Sequence, residues 1–140
     1  MAKIDFTGLV PDFIENDETS WQSWLTQCVE ERSYRIGRLV YHFVDDLQIQ
    51  EINQSILDHD YPTDIITLDE SRTDRLRVEL WLGVDFIERS AKEYTVQLEV
   101  EFARVMIHGL LHCMGWDDKS IEDRDRMKAE EDKCLISRPK

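Results

Sequence analysis

The chain has 140 residues and a formal net charge of −13, with 30 acidic against 17 basic side chains. That length suits one domain, residues 1–140, whose core needs no disulfide or structural metal to hold it together. The negative field excludes unaided long-range attraction to nucleic acid or to an anionic membrane, so any polyanion must find a local basic patch.

Two short patches qualify, Arg32/Arg35/Arg38 and Arg72/Arg75/Arg77, although clusters this small also occur as plain solvated surface. No basic segment followed by an apolar stretch opens the chain, and no apolar run approaches membrane-spanning length; a soluble, cytoplasmic protein without a membrane segment is expected. Cys28, Cys113 and Cys134 are widely spaced and form no Cys-x-x-Cys pair, which reads as reduced structural thiols.

In chain order, Asn16 to Glu18 offers helix-start chemistry ahead of Trp21, Trp24, Leu25 and Cys28, whose spacing predicts an amphipathic first helix. Gly37 to Val44 alternates as a strand, and Asp45/Asp46 then open a helix toward Ile52, Ile56 and Leu57. Asp60-Tyr-Pro-Thr is turn chemistry. The β-branched run Asp64 to Leu68 and the segment Val78 to Val84 read as strands that can pair as a hairpin across the polar stretch Asp69 to Arg77. Helices follow: a short one over Asp85 to Lys92, a long apolar one over Val96 to Met114, and a charged one over Ile121 to Cys134 anchored by Ile121, Met127 and Cys134. The class is α+β, a small mixed sheet packed with helices.

The long helix carries the chemistry. Its apolar residues leave almost no exposed face, so it belongs in the core, yet Glu101, Arg104, His108 and His112 fall on one narrow stripe. Burying such groups unsatisfied costs roughly 1–3 kcal/mol each, so the stripe must face a cleft, a metal or its own members. Histidines at i and i+4 aim two imidazoles at one point, Gly115 permits the left-handed turn that ends the helix, and Asp118 returns to the same edge. His108, His112 and Asp118 therefore read as ligands of one zinc ion at the end of the helix, with Asp117 competing by adjacency. Three protein ligands leave zinc's fourth position open, which suits hydrolysis better than structure. The spacing is that of metzincin sites with aspartate as the third ligand, but Gly109 stands where those enzymes carry a glutamate.

His108-Gly-Leu-Leu-His112-Cys-Met-Gly115-Trp-Asp-Asp118 resembles the signature H-G-x-L-H-x-x-G-Y-D-H of the YbeY family of endoribonucleases and rRNA maturation factors. The likeness extends through Ile52-Asn53, Tyr61 to Thr67, Leu80 to Ala91 and Glu101 to Arg104. The resemblance implies a small mixed sheet covered by helices and a single-strand-preferring, zinc-dependent endoribonuclease. It further implies work on small-subunit rRNA and in ribosome quality control, with the ribosome or its proteins as partners. Two positions depart from the pattern: Asp118 replaces the third histidine, and Leu57 replaces an arginine that would clamp phosphate. Arg104 is the candidate to take over that role, its alternative being a pair with Glu101 one turn away. Glu79 is a possible general base that also reads as strand-surface charge, and Trp116 can stack on a base or pack on the next helix. His42 and His59 read as surface or satisfied side chains, and Trp21, Trp24 and Trp81 as core. The competing functions are a non-catalytic zinc-binding ribosome-assembly factor and, disfavoured by Gly109, a zinc peptidase or amidase.

Overall fold

A computed structural model describes residues 3–140. Its centre is a four-stranded mixed sheet in the order β1-β2-β4-β3, formed by β1 (Ile4–Gly8), β2 (Arg35–Val44), β3 (Ile65–Asp69) and β4 (Arg75–Gly83). β1 and β4 flank β2 in parallel, and β3 runs antiparallel to β4 as the expected hairpin. Six helices surround it: α1 (Asp12–Glu15), α2 (Glu18–Glu30), α3 (Asp46–Leu57), α4 (Val84–Glu93), α5 (Leu98–Cys113) and α6 (Ile121–Leu135). The α+β class expected from the sequence is the fold observed.

Period-two burial divides the sheet into two unlike faces. Leu39, Tyr41 and Phe43 of β2 and Leu76, Val78, Leu80 and Leu82 of β4 point to one side, where α2 and α5 close over them. The polar atoms that this burial traps find backbone partners: the Tyr41 hydroxyl donates to Met106 O at 2.9 Å, and Trp24 Nε1 to Cys134 O at 2.8 Å. On the other side α3 covers only one end, with Ile49 packed on Val44 and Ile66. A complete capping box, in which Asp45 accepts from Gln48 N and Gln48 returns the bond, starts that helix at the expected residue.

Several boundaries differ from expectation. β1 and α1 have no counterpart in the sequence reading, because a five-residue edge strand and a single helical turn are too short for periodicity to register. β4 starts at Arg75, so its first arginines are strand residues, and Val84 opens α4 instead of closing the strand. Ile121 is 73% exposed and anchors nothing, whereas Met127 and Cys134 are buried as expected. Trp81 is only half-buried, stacked on His42 with ring centroids 5.2 Å apart, while Trp21 and Trp24 do lie in the core.

Candidate metal centre

α5 buries eight of its 16 residues, all within residues 102–111, as a helix with apolar residues on most of its circumference must, and turns its polar stripe to the opening. Its C-terminus closes with paired bonds, Trp116 N–H to Leu111 O at 2.9 Å and Gly115 N–H to His112 O at 3.2 Å, around Gly115 at φ +102°. This is the Schellman arrangement, and only a residue tolerant of positive φ completes it. The turn brings Asp118 back over the last turn of the helix.

His108, His112 and Asp118 each present one donor atom, and these atoms lie within 4.8 Å of one another. His112 Nε2 is 3.1 Å from His108 Nε2 and 3.2 Å from Asp118 Oδ2, and the third edge, His108 Nε2 to Asp118 Oδ2, is 3.6 Å. A tetrahedral ion with donors at about 2.0–2.1 Å has edges of about 3.3–3.4 Å, so the triangle fits one. Two facing imidazole nitrogens and a carboxylate also form the donor set that zinc accepts. Asp117 is turned elsewhere, its Oδ1 accepting the Asp118 backbone N–H at 2.8 Å.

What fixes the triangle lies on another helix. Glu131 of α6, 6% exposed, approaches His108 Nδ1 with Oε2 at 2.6 Å and accepts from Arg104 with Oε1 at 2.8 Å. A carboxylate at Nδ1 holds the proton there and leaves the Nε2 lone pair facing the site. Burial pulls the His108 imidazole pKa down, but Glu131, with Asp64 and Asp118 behind it, outweighs burial and holds it above its ordinary value. Arg104 does not pair with Glu101 as one reading of the sequence had it; its second nitrogen donates to Asp132 at 2.7 Å. Two of its nitrogens are thereby engaged in holding Glu131 and Asp132.

The site opens into a cleft of about 540 Å³ whose walls include Glu101, Arg104, His108, Asp118, Arg124 and Lys128. Burial raises the Glu101 carboxyl above its usual range, with Arg104 opposing and Asp64 and Glu131 adding to the rise. Arg124 and Lys128 bring cations from α6 to the same opening. They, Glu131 and Asp132 escaped the sequence reading because α6 shows only a charged pattern, and nothing local says which charges face inward. Gly109, facing away from the cleft, has no room for a side chain: a Cβ would lie 2.6 Å from Leu80 Cδ2 and 2.8 Å from Ile65 Cδ1. A side chain at that position would press on the Leu80 and Ile65 side-chain tips and point toward the sheet, away from the cleft.

Other singled-out residues take quieter places. His42 bridges Thr7 Oγ1 and Glu79 Oε2, each at 2.7 Å, so Glu79 serves the sheet surface. His59 stacks on Tyr61, and Trp116 packs against the core beneath Arg32, whose guanidinium carbon sits 6.0 Å from the ring centre. The three cysteines are free, and burial, helped by Asp69, pushes the Cys113 thiol up to about 12. Among the described residues no helix is long and apolar enough to cross a membrane.

Fold and site together define an α+β protein with a His/His/Asp group able to hold a metal ion at the end of a buried helix. The family described as Endoribonuclease YbeY matches residues 11–138, and this chain belongs to it. Among its relatives, Endoribonuclease YbeY of Porphyromonas gingivalis is 38% identical over 136 residues, covering 97% of this chain and 90% of that protein. The Flavobacterium psychrophilum protein of the same description is 36% identical over 124 residues, covering 89% of each. The solution structure of TM1509 from Thermotoga maritima shares the fold, with a TM-score of 0.67 at 24% identity over 98% of this chain and 88% of that one.

Proposed function

We propose that this protein is a single-strand-specific, zinc-dependent endoribonuclease that matures small-subunit rRNA and serves ribosome quality control in the cytoplasm, with His108, His112 and Asp118 holding one zinc ion per chain. The observation that carries this reading is the convergence of the three donor atoms, oriented by Glu131, at the mouth of a cleft. Bound there, zinc would supply Lewis-acid polarisation of a phosphoryl oxygen and bring the pKa of a water toward ~7.

The chain's own residues do the rest. Glu131 keeps the His108 proton on Nδ1, and Arg104 keeps Glu131 in place with Asp132 as its second anchor. Arg124 and Lys128 supply the positive charge at the cleft that Leu57 cannot, positioned to receive phosphate oxygens. Glu101, its carboxyl raised by burial, is placed to hold or accept a proton in the cleft. An overall charge of −13 makes free RNA a poor encounter partner, which favours delivery of substrate by the ribosome or its proteins.

The test is metal analysis together with cleavage of single-stranded RNA by the unmodified chain, His112→Ala and Asp118→Ala. The expected result is stoichiometric zinc and cleavage, both lost in the variants. Cleavage undiminished by His112→Ala assigns the activity to another site or a contaminant and defeats the proposal. Stoichiometric zinc without cleavage supports instead a zinc-binding assembly factor. The peptidase reading has no such support, since Gly109 supplies no general-base glutamate after the first histidine.

A further inference from the structure

The sequence holds two separated arginine clusters, and the fold joins them. β2 and β4 are parallel neighbours in a register that sets Arg35 beside Arg75 and Arg38 beside Arg77. Residues three apart on a regular strand point to opposite faces, but the register shift between Ile36 and Arg38 inserts Gly37 as an extra residue. Arg35 and Arg38 therefore share the face of Arg75 and Arg77, while Ile36 and Leu39 stay in the core. Gly37 serves the cluster in a second way. A Cβ there would lie 2.7 Å from Arg75 Nε, so the Arg75 side chain passes across the glycine.

Like charges directly opposite one another destabilise a sheet, and this pairing occurs twice in succession on a chain of net charge −13. Neutralisation within the protein is partial. Arg38 holds Asp5 at 2.5 Å, and Arg35 reaches Asp74 only at 4.0 Å between exposed ends. Among the described residues no carboxylate lies within ion-pair distance of the exposed Arg75, Arg77 or Arg72 guanidinium groups. Arg72, in the turn between β3 and β4, exchanges backbone bonds with Arg75 and extends the line toward the β3 edge.

The ladder also stands at the metal-ligand end of the molecule. Tyr41, mid-strand, bonds Met106 in mid-helix, and Tyr34, just before β2, donates to Met114 O at 3.3 Å past the end of α5. α5 thus runs antiparallel to β2 and β4, and its His112 end lies where those strands begin. β3 packs on α5 as well, with Ile65 and Thr67 beside Gly109.

We propose that Arg35, Arg38, Arg75 and Arg77, led into by Arg72, form a phosphate-binding ladder for single-stranded RNA extending from the metal cleft around the β3–β4 turn. The inference rests on the ribonuclease reading and supplies what the acidic chain otherwise lacks, a local positive track. Two strand residues put Arg75 and Arg77 about 6.6 Å apart along the chain, a spacing that successive phosphates of an extended strand can match. Guanidinium forks suit phosphate oxygens.

The experiment is fluorescence anisotropy of a labelled single-stranded RNA with the full chain across a salt series, in the His112→Ala form so that the strand stays whole. R75Q/R77Q is expected to make the slope of log affinity against log salt shallower by about 1.4, because each lost phosphate contact removes about 0.7 for single strands. R75K/R77K keeps the charge and the slope. Thermal unfolding of R75Q/R77Q should hold or rise as cross-strand repulsion is relieved, which separates weaker binding from misfolding. An unchanged slope in R75Q/R77Q, with RNA still cut by the chain bearing His112, overturns the ladder alone. RNA neither bound nor cut overturns the ladder and the ribonuclease reading together.

Discussion

Replacing Glu131 by glutamine removes one charge and almost no volume, and the geometry around it dictates the outcome. The carboxylate contacts His108 Nδ1 at 2.6 Å through one oxygen and Arg104 at 2.8 Å through the other, with its side chain 7% exposed. An amide has one oxygen to offer. If that oxygen faces His108, the NH2 group meets the Arg104 donor; if it faces Arg104, the NH2 group meets Nδ1 and favours the tautomer with the proton on Nε2, the atom needed at the metal. The first arrangement buries a donor–donor contact costing roughly 1–3 kcal/mol of stability, and the second satisfies every partner only by placing the proton on the metal-facing nitrogen. Loss of such an outer-shell carboxylate weakens metal affinity by about 10–100-fold, or about 1.4–2.8 kcal/mol. Competition against a chromophoric chelator measures the affinity, and nitrogen-15 shifts of the His108 ring report the tautomer. Asp132→Asn, at a mostly exposed partner of Arg104, should stay within about fivefold of the unmodified chain, a salt bridge at that exposure being worth about 0.2–1 kcal/mol. A Glu131→Gln protein whose affinity and His108 tautomer match the unmodified chain would refute the orienting role.

Two further results follow from the same structure. Gly109→Ala should destabilise by up to about 2 kcal/mol in urea unfolding, overpacking of about 1–3 kcal/mol against Leu80 and Ile65 being offset by a helix-propensity gain of up to about 1 kcal/mol; a stabilised variant would contradict the packing. In metal-free protein the folded His108 pKa is raised above its unfolded value near 6.5, so its contribution to stability is complete below about pH 6.5 and is lost as pH rises through the folded value. Metal binding needs the deprotonated ring, so zinc-loaded protein should gain stability over that window instead. Denaturation at a series of pH values with and without chelator checks both signs, and parallel curves would count against the assignment of His108.

The periodicity of α5, its polar stripe, the helix-ending Gly115 and the capping of α3 were legible in the sequence because each is a relation between residues within a few positions of one another. So was the convergence of His108, His112 and Asp118, since one helix turn and one glycine turn connect them. The partners of that triangle were not. Glu131 lies 23 residues from His108, on a helix whose acidic pattern gives no sign of which carboxylate turns inward, and burial against α5 alone selects it. For Arg104 the sequence offers a phosphate or Glu101, the latter because i,i+3 spacing is visible there, whereas the pair across two helices is not. Strand pairing has the same character: β1 is recognisable as a strand through its ladder with β2, and nothing in residues 4–8 names that neighbour.

The sequence by itself determined the His108/His112/Asp118 triangle and the class of fold, through local periodicity and turn chemistry. Only the tertiary structure decided what holds the triangle in place and where positive charge accumulates. Register across the Gly37 bulge and packing of α6 on α5 are choices among distant segments, made by burial of the whole core and not by any one stretch of chain.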